Sequence, residues 1–75
     1  MQFDKDLDAR NLNCPLPIIK TKKSLADMSS GQVLRVLSTD SGSIKDMEAF
    51  ARQTGNELVS SDTSGGEYVF FLRKK

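Results

Sequence analysis

The sequence contains no histidine, no tryptophan and a single cysteine, Cys14. One cysteine cannot form an intramolecular disulfide, a Cys-x-x-Cys redox pair or a multi-thiolate zinc site. Without histidine, the chain cannot supply a Cys–His hydrolase pair or an imidazole metal ligand. We therefore expect neither a metal site nor a bound cofactor. Any covalent chemistry must be carried by one sulfur atom, with the remaining groups supplied by partner proteins.

Long apolar runs and a strong net charge are missing as well. No stretch approaches the roughly 18–20 apolar residues that cross a bilayer, and the first six residues are too acidic for a signal peptide. The net charge of +1 argues against a protein that coats nucleic acid. We expect a cytoplasmic protein that contacts no membrane and does not bind nucleic acid directly. Its 75 residues suit one small domain, 1–75.

Apolar periodicity predicts six elements in the order β-α-β-α-β-β. The predicted strands are 2–9, 32–38, 57–62 and 67–74, and the predicted helices are 15–28 and 44–54. Both crossover connections should be right-handed, which places both helices on one face of the sheet. The expected fold class is α+β, a two-layer α/β sandwich with a four-stranded mixed sheet and two helices on one face. Either Val69 and Phe71 or Tyr68, Phe70 and Leu72 then lie on the open face, so we expect a monomer or a weak dimer.

The first predicted strand alternates between apolar and acidic residues. Phe3, Leu7 and Ala9 fall on one side. The other side carries three carboxylates, those of Asp4, Asp6 and Asp8. They resemble a metal-binding cluster, but we interpret them as a solvated face that protects a sheet edge.

Each predicted helix has an apolar stripe. The stripe of the first helix comprises Ile18, Ile19, Leu25, Ala26 and Met28, and that of the second comprises Ile44, Met47, Phe50 and Ala51. Ser43 and Asp46 are spaced as a capping box at the start of the second helix. Gly55 suits the left-handed residue that follows a helix.

The motif Cys14-Pro15-Leu16-Pro17 stands where the first strand gives way to the first helix. Because proline is favoured at the first helical position, we predict that Pro15 begins the helix and that Cys14 is its N-cap. A thiol in that position faces the positive end of the helix dipole, which predicts a lowered pKa and a reactive thiolate. Pro15 and Pro17 would shape and stiffen this site. The alternative is that Cys14 is only a small buried apolar residue.

Charged residues near the motif and in the second half of the chain are candidates for binding a partner. They are Arg10, Lys20, Lys22, Lys23, Asp40 and Asp46. The lysines either attract an acidic partner surface or remain a solvated helix face. The two aspartates are more often loop and cap residues, and Arg10 alone is a weak indication of an anion site.

The segment from Leu7 to Pro17 resembles the opening of the TusA/SirA family of small sulfur-carrier proteins, which carry a Cys-Pro-x-Pro motif at the start of the first helix. The resemblance extends over essentially the whole chain, and a glycine common before the motif is Asn11 here. It implies that Cys14 receives sulfur as a persulfide from a cysteine desulfurase or another donor protein. Cys14 then passes the sulfur to a downstream acceptor protein, which in one branch of the family leads to 2-thiouridine in tRNA.

Three hypotheses follow for the function. The leading one is a sulfurtransferase-like sulfur carrier that works with partner enzymes. The alternative is a nucleic-acid-binding or regulatory module on the same fold, in which Cys14 is incidental. The third is a redox-sensing thiol that forms an intermolecular disulfide through Cys14.

Overall fold

Six secondary-structure elements follow one another in the predicted order in a computed structural model, which describes residues 2–75. They are β1 (Lys5–Ala9), α1 (Leu16–Ala26), β2 (Val33–Ser38), α2 (Ser43–Thr54), β3 (Glu57–Ser64) and β4 (Glu67–Arg73). The strands form one mixed sheet in the order β1-β2-β4-β3, in which β1 and β2 are parallel and β4 is antiparallel to both β2 and β3. The predicted fold class is confirmed. Neither helix among the described residues has the length and apolar character needed to span a membrane.

The core lies where the two central strands meet the helices. Leu34 and Val36 on β2 lie opposite Leu72 and Phe70 on β4, and all four side chains are fully buried. Burying an apolar side chain of this size contributes about 1.5–3 kcal/mol. Because Phe70 and Leu72 face the helices, alternation along β4 places Val69 and Phe71 on the open face.

The apolar stripe of α2 is confirmed, whereas that of α1 is only partly right. Ile19 is 45% exposed and Ala26 is also exposed, although both were predicted to be buried. The face that packs on the sheet carries Pro17, Thr21 and Leu25. Thr21 can be buried there because its hydroxyl donates to the Pro17 carbonyl at 2.7 Å. Because a polar residue occupies a core position, apolar periodicity alone placed Ile19 and Ala26 on the buried face and left Thr21 out of it.

The end of α1 also differs from the prediction. The helix stops at Ala26, two residues before Met28. The amides of Asp27 and Met28 each bond to a carbonyl three residues back, at 3.3 and 3.0 Å, which tightens the last turn.

The N-terminal segment takes a different course from the predicted strand. Regular pairing begins at Lys5, and Phe3 does not share the side of Leu7 and Ala9. Its ring lies 6.3 Å from that of Phe71, and the guanidinium carbon of Arg35 lies 4.5 Å from the centre of the Phe3 ring. Phe3 therefore covers part of the open face of the sheet.

The three aspartates near the N-terminus bind three different groups. Asp4 accepts from the Val33 amide at 2.8 Å, Asp6 pairs with Arg35 at 2.8 Å, and Asp8 pairs with Arg10 at 2.9 Å. Among residues 2–75, no three potential ligand side chains converge as a metal site would require. Asp4 and Asp6 instead join the N-terminal segment and β1 to β2, whereas the Asp8 pair stays within the turn that follows β1.

Candidate functional site

Cys14 lies in the turn that connects β1 to α1, and its side chain is exposed. The helix begins at Leu16 with Pro15 as its N-cap, so the predicted start is wrong by one residue. The Cys14–Pro15 peptide bond is cis. Asn11 opens the turn with φ +67°, the left-handed conformation for which asparagine is suited. Its amide donates to Thr39 Oγ1 at 2.9 Å, which joins this turn to the loop after β2.

Asp40 fixes the backbone of the cysteine turn. Its Oδ2 accepts from the Cys14 amide at 2.9 Å, and its Oδ1 accepts from the Gly42 amide at 3.1 Å. One carboxylate thus holds its own loop and the turn that carries the thiol. Since each bond is to a charged acceptor, both are stronger than bonds between neutral groups.

The predicted capping box at the start of α2 is wrong. Gly42 is the N-cap, and no side chain caps the helix. The Ser43 hydroxyl instead lies 2.6 Å from that of Ser38 in a fully buried pair. Ser38 Oγ also accepts from the Asp40 amide at 3.2 Å, so this pair supports the loop that holds Cys14. Asp46 is left free to turn towards α1.

The thiol stands at the edge of a hollow between the two helices, with a volume of about 230 Å³. The hollow is lined by Cys14, Pro15, Ile18, Asp46, Ala49, Phe50 and Gln53. Its walls are mainly apolar, and Asp46 is the carboxylate among them. The arrangement leaves the sulfur accessible from outside while one side of it faces a negative charge.

The pKa of Cys14 is raised, and the predicted lowering is wrong. The main cause is the Asp46 carboxylate, which is placed to accept the thiol hydrogen, and the charge of Asp40 acts in the same direction. The start of the helix offers few free amides to the thiol. Pro15 and Pro17 have no amide hydrogen, and the amides of Cys14 and Leu16 donate to Asp40 and Asn13.

The remaining candidates lie away from the thiol. Arg10 is exposed, and its guanidinium binds Asp8 at 2.9 Å and Glu67 at 3.4 Å. Lys20, Lys22 and Lys23 are exposed on α1, and none of them lines the hollow beside Cys14.

The far end of the helices carries a second hollow. It has a volume of about 490 Å³, and Lys22 lines it together with Lys74 and Lys75. The structure therefore brings Cys14 together with Pro15, Asp40 and Asp46, but not with the lysines.

Sequence reasoning selected Asp40 and Asp46 but did not predict their contact with Cys14. The signal that could have shown it is the parallel pairing of β1 and β2, since the carboxyl ends of parallel strands meet at one edge of a sheet. Ala49 and Gln53 also line the hollow, and the sequence did not indicate them because neither residue type is typical of a functional site. Chemically, the site offers one exposed sulfur that a partner can reach. The carboxylate of Asp46 lies beside it and is the one basic group among the residues that line the hollow.

Comparison with known proteins shows the family of the chain. The family model described as Sulfurtransferase TusA matches residues 5–74. The chain is 60% identical over 72 residues to the sulfur carrier protein TusA of Allochromatium vinosum, covering 96% of this chain and 95% of that one. It is 46% identical over 69 residues to a putative sulfur carrier protein of Neisseria meningitidis, covering 92% and 93%.

A solved structure shows the same fold. The crystal structure of a SirA-like protein from Desulfitobacterium hafniense superposes with a TM-score of 0.83 at 25% identity, covering 93% of this chain and 96% of that one. The Cys-Pro-x-Pro motif, the β-α-β-α-β-β order and these matches agree over nearly the whole length. The chain belongs to the TusA family.

Proposed function

We propose that this chain is a sulfur carrier that receives sulfur as a persulfide on Cys14 and passes it to an acceptor protein. The observation that carries the proposal is the exposed single thiol in the turn before α1 of a chain of the TusA family. The named relatives are described as sulfur carrier proteins. A cysteine desulfurase is the donor that the family resemblance implies.

The transfer requires only one sulfur atom from this chain. Cys14 Sγ, as a thiolate, attacks the outer sulfur of a persulfide on the donor's cysteine. A new S–S bond forms on Cys14 while the donor's S–S bond breaks, and the donor's cysteine leaves as a thiolate that takes up the proton lost by Cys14. In the second transfer, a nucleophile of the acceptor attacks the outer sulfur and Cys14 is the leaving thiolate. Neither transfer needs a histidine or a second cysteine.

The proposal is tested by intact-mass spectrometry after incubation with a cysteine desulfurase and cysteine. We expect wild type to gain about 32 Da, the mass of one sulfur atom, and to lose it on addition of reductant. Cys14→Ser is the matched control, because the residue is exposed and the change replaces sulfur by oxygen. It should keep the fold and gain nothing. An unchanged wild-type mass would refute the proposal.

The same experiment separates the other two hypotheses. A redox-sensing thiol would give a doubled mass that reductant reverses. A binding module would leave the mass of the chain unchanged, and its binding to nucleic acid would weaken steeply with salt. The destination of the sulfur, including thiolation of tRNA, is tested by adding candidate acceptor proteins to the persulfidated chain and following the loss of about 32 Da.

A further inference from the structure

Asp46 differs from Asp40, the other acidic residue beside Cys14, because its carboxylate is bound by neither a cation nor a backbone amide among residues 2–75. The ion pairs among residues 2–75 join Arg10 to Asp8 and Glu67, Arg35 to Asp6, and Arg73 to Glu57. Asp40 uses both of its oxygens for backbone amides. Asp46 is half-buried in the wall of the hollow, where neither a cation nor a backbone amide of the described residues binds its carboxylate.

Within residues 2–75, no lysine or arginine lines the hollow that holds this carboxylate. On α1, Lys20, Lys22 and Lys23 lie outside the hollow, and on α2 the same holds for Lys45 and Arg52. In the turn before α1, Arg10 is committed to Asp8 and Glu67. The loop after β2 adds only the negative charge of Asp40.

We propose that Asp46 is a positioning residue that makes Cys14 depend on its partner, because its carboxylate is the docking point for a lysine or arginine of the sulfur donor. This inference rests on the proposed function. In the isolated chain the unpaired carboxylate lies beside the thiol and disfavours a second negative charge there. A cation that pairs with Asp46 removes this effect at the moment when the donor's persulfide reaches the sulfur. Cys14 thus reacts readily with the persulfide of a donor that carries a basic side chain, and slowly with other electrophiles.

The fit between a cation and this place follows from charge and setting. A carboxylate in a mainly apolar hollow is less screened than one in open water, so an incoming guanidinium or ammonium group gains more from pairing with it. Ile18 and Phe50 line the same hollow and offer apolar contact to the stem of a long basic side chain. The pair would lie directly beside the sulfur that reacts.

The test uses Asp46→Asn, with Glu48→Gln as the matched control. The asparagine keeps the shape of the side chain and removes its charge. Glu48 lies on the same helix, is exposed, and does not line the hollow, so its change alters the net charge equally. Two rates are measured for each variant: alkylation of the isolated chain by iodoacetamide as a function of pH, and uptake of sulfur from a cysteine desulfurase at several salt concentrations.

We expect the two rates of Asp46→Asn to move in opposite directions. Iodoacetamide is neutral, so its rate reports the thiolate. At a pH below the pKa of Cys14, each unit by which this pKa falls raises the thiolate fraction about tenfold. The same fall lowers the nucleophilicity of the thiolate about threefold, so the alkylation rate should rise about threefold. Uptake from the desulfurase should fall and lose much of its salt dependence. Glu48→Gln should match wild type in both rates.

Equal uptake and equal salt dependence in Asp46→Asn and wild type would overturn the inference. So would an unchanged alkylation profile. A purely structural role for Asp46 would slow uptake without accelerating alkylation, which also contradicts the proposal. Failure of wild type itself to gain sulfur would refute the proposed function and the docking role with it, whereas the alkylation profile would still report the effect of Asp46 on the thiol.

Discussion

Replacing Asp40 by alanine should destabilise the chain although Asp40 lies in a loop. The carboxylate accepts from the amides of Cys14 and Gly42 at 2.9 and 3.1 Å. Hydrogen bonds to a charged group contribute about 1.5–3 kcal/mol each, but both freed amides belong to exposed residues and can bind water instead. We therefore use a smaller value of about 1 kcal/mol for each bond. The expected loss is about 2 kcal/mol of the free energy of unfolding.

Urea unfolding followed by circular dichroism measures this loss. For a chain of this size, about 1 kcal/mol corresponds to a change of about 1 M in the urea midpoint and of about 4–8 °C in Tm. Asp40→Ala should thus lower the midpoint by about 2 M. Asp62→Ala is the control, because its carboxylate accepts only from the adjacent Thr63 amide on an exposed strand end. That variant should stay within about 0.5 kcal/mol of wild type.

Amide hydrogen exchange then locates the effect. The amides of Cys14 and Gly42 should lose protection in Asp40→Ala before the core amides of β2 and β4 do, because the broken bonds are local. Asp40→Asn keeps one acceptor oxygen and should lie between wild type and alanine. A midpoint for Asp40→Ala that equals that of Asp62→Ala, with unchanged exchange at Cys14, would refute the view that this carboxylate holds the cysteine turn.

Two further predictions concern a buried hydroxyl pair and an exposed ion pair. Ser43→Ala should lower the free energy of unfolding by about 1–3 kcal/mol, because the buried Ser38 hydroxyl loses one hydrogen-bond partner. The double variant Ser38→Ala/Ser43→Ala should lose less than the sum of the two single variants. A double-mutant cycle measured by urea unfolding tests both expectations. Hydrogen bonds from Arg10 lower the pKa of Asp8 to about 2, so the stability that this pair contributes is complete above the ordinary aspartate pKa near 4 and is lost as pH falls from about 4 to 2. The urea midpoint of Asp8→Asn should therefore change less than that of wild type across this interval, and equal acid slopes would contradict the assignment.

Much of the fold could be predicted because its elements carry strong local signals. The near-continuous apolar run of β2 predicts a central strand, and β2 lies between β1 and β4. Gly55 ends α2 with φ +80°, as its position after the last apolar residue indicates. The alternation on β4 left open which of its sides faces the helices, and the structure places Phe70 and Leu72 in the core. The first two features are set within one element, whereas the buried side of β4 depends on the helices that pack on it.

The errors concern residues whose role is decided by contacts that apolar periodicity does not record. Thr21 occupies a core position only because the Pro17 carbonyl accepts its hydroxyl hydrogen, and no apolar pattern records such a bond. Phe3 leaves the expected side of the sheet because Phe71 and Arg35, on two other strands, offer contacts to its ring.

The wrong sign of the Cys14 pKa has the same origin. The sequence places a helix directly after Cys14, and the amides in the first turn of that helix were expected to favour a thiolate. The prolines that mark this helix start have no amide hydrogen, and the amides of Cys14 and Leu16 donate to Asp40 and Asn13. The main cause, Asp46, and the lesser one, Asp40, are 32 and 26 residues away along the chain. The parallel pairing of β1 with β2 brings them beside Cys14.

This placement follows from the topology of the sheet. Each of the two parallel strands ends at the same sheet edge and leads into a helix on the same face, so the turn after β1 and the loop after β2 must lie side by side. A nucleophile in the first connection is therefore always within reach of charges in the second. In this chain the second connection supplies Asp40 and the first turn of α2 supplies Asp46, and both carboxylates disfavour a thiolate on Cys14. A basic residue in either place would favour it. The charge at position 46 is thus the means by which this fold can set how freely its sulfur reacts.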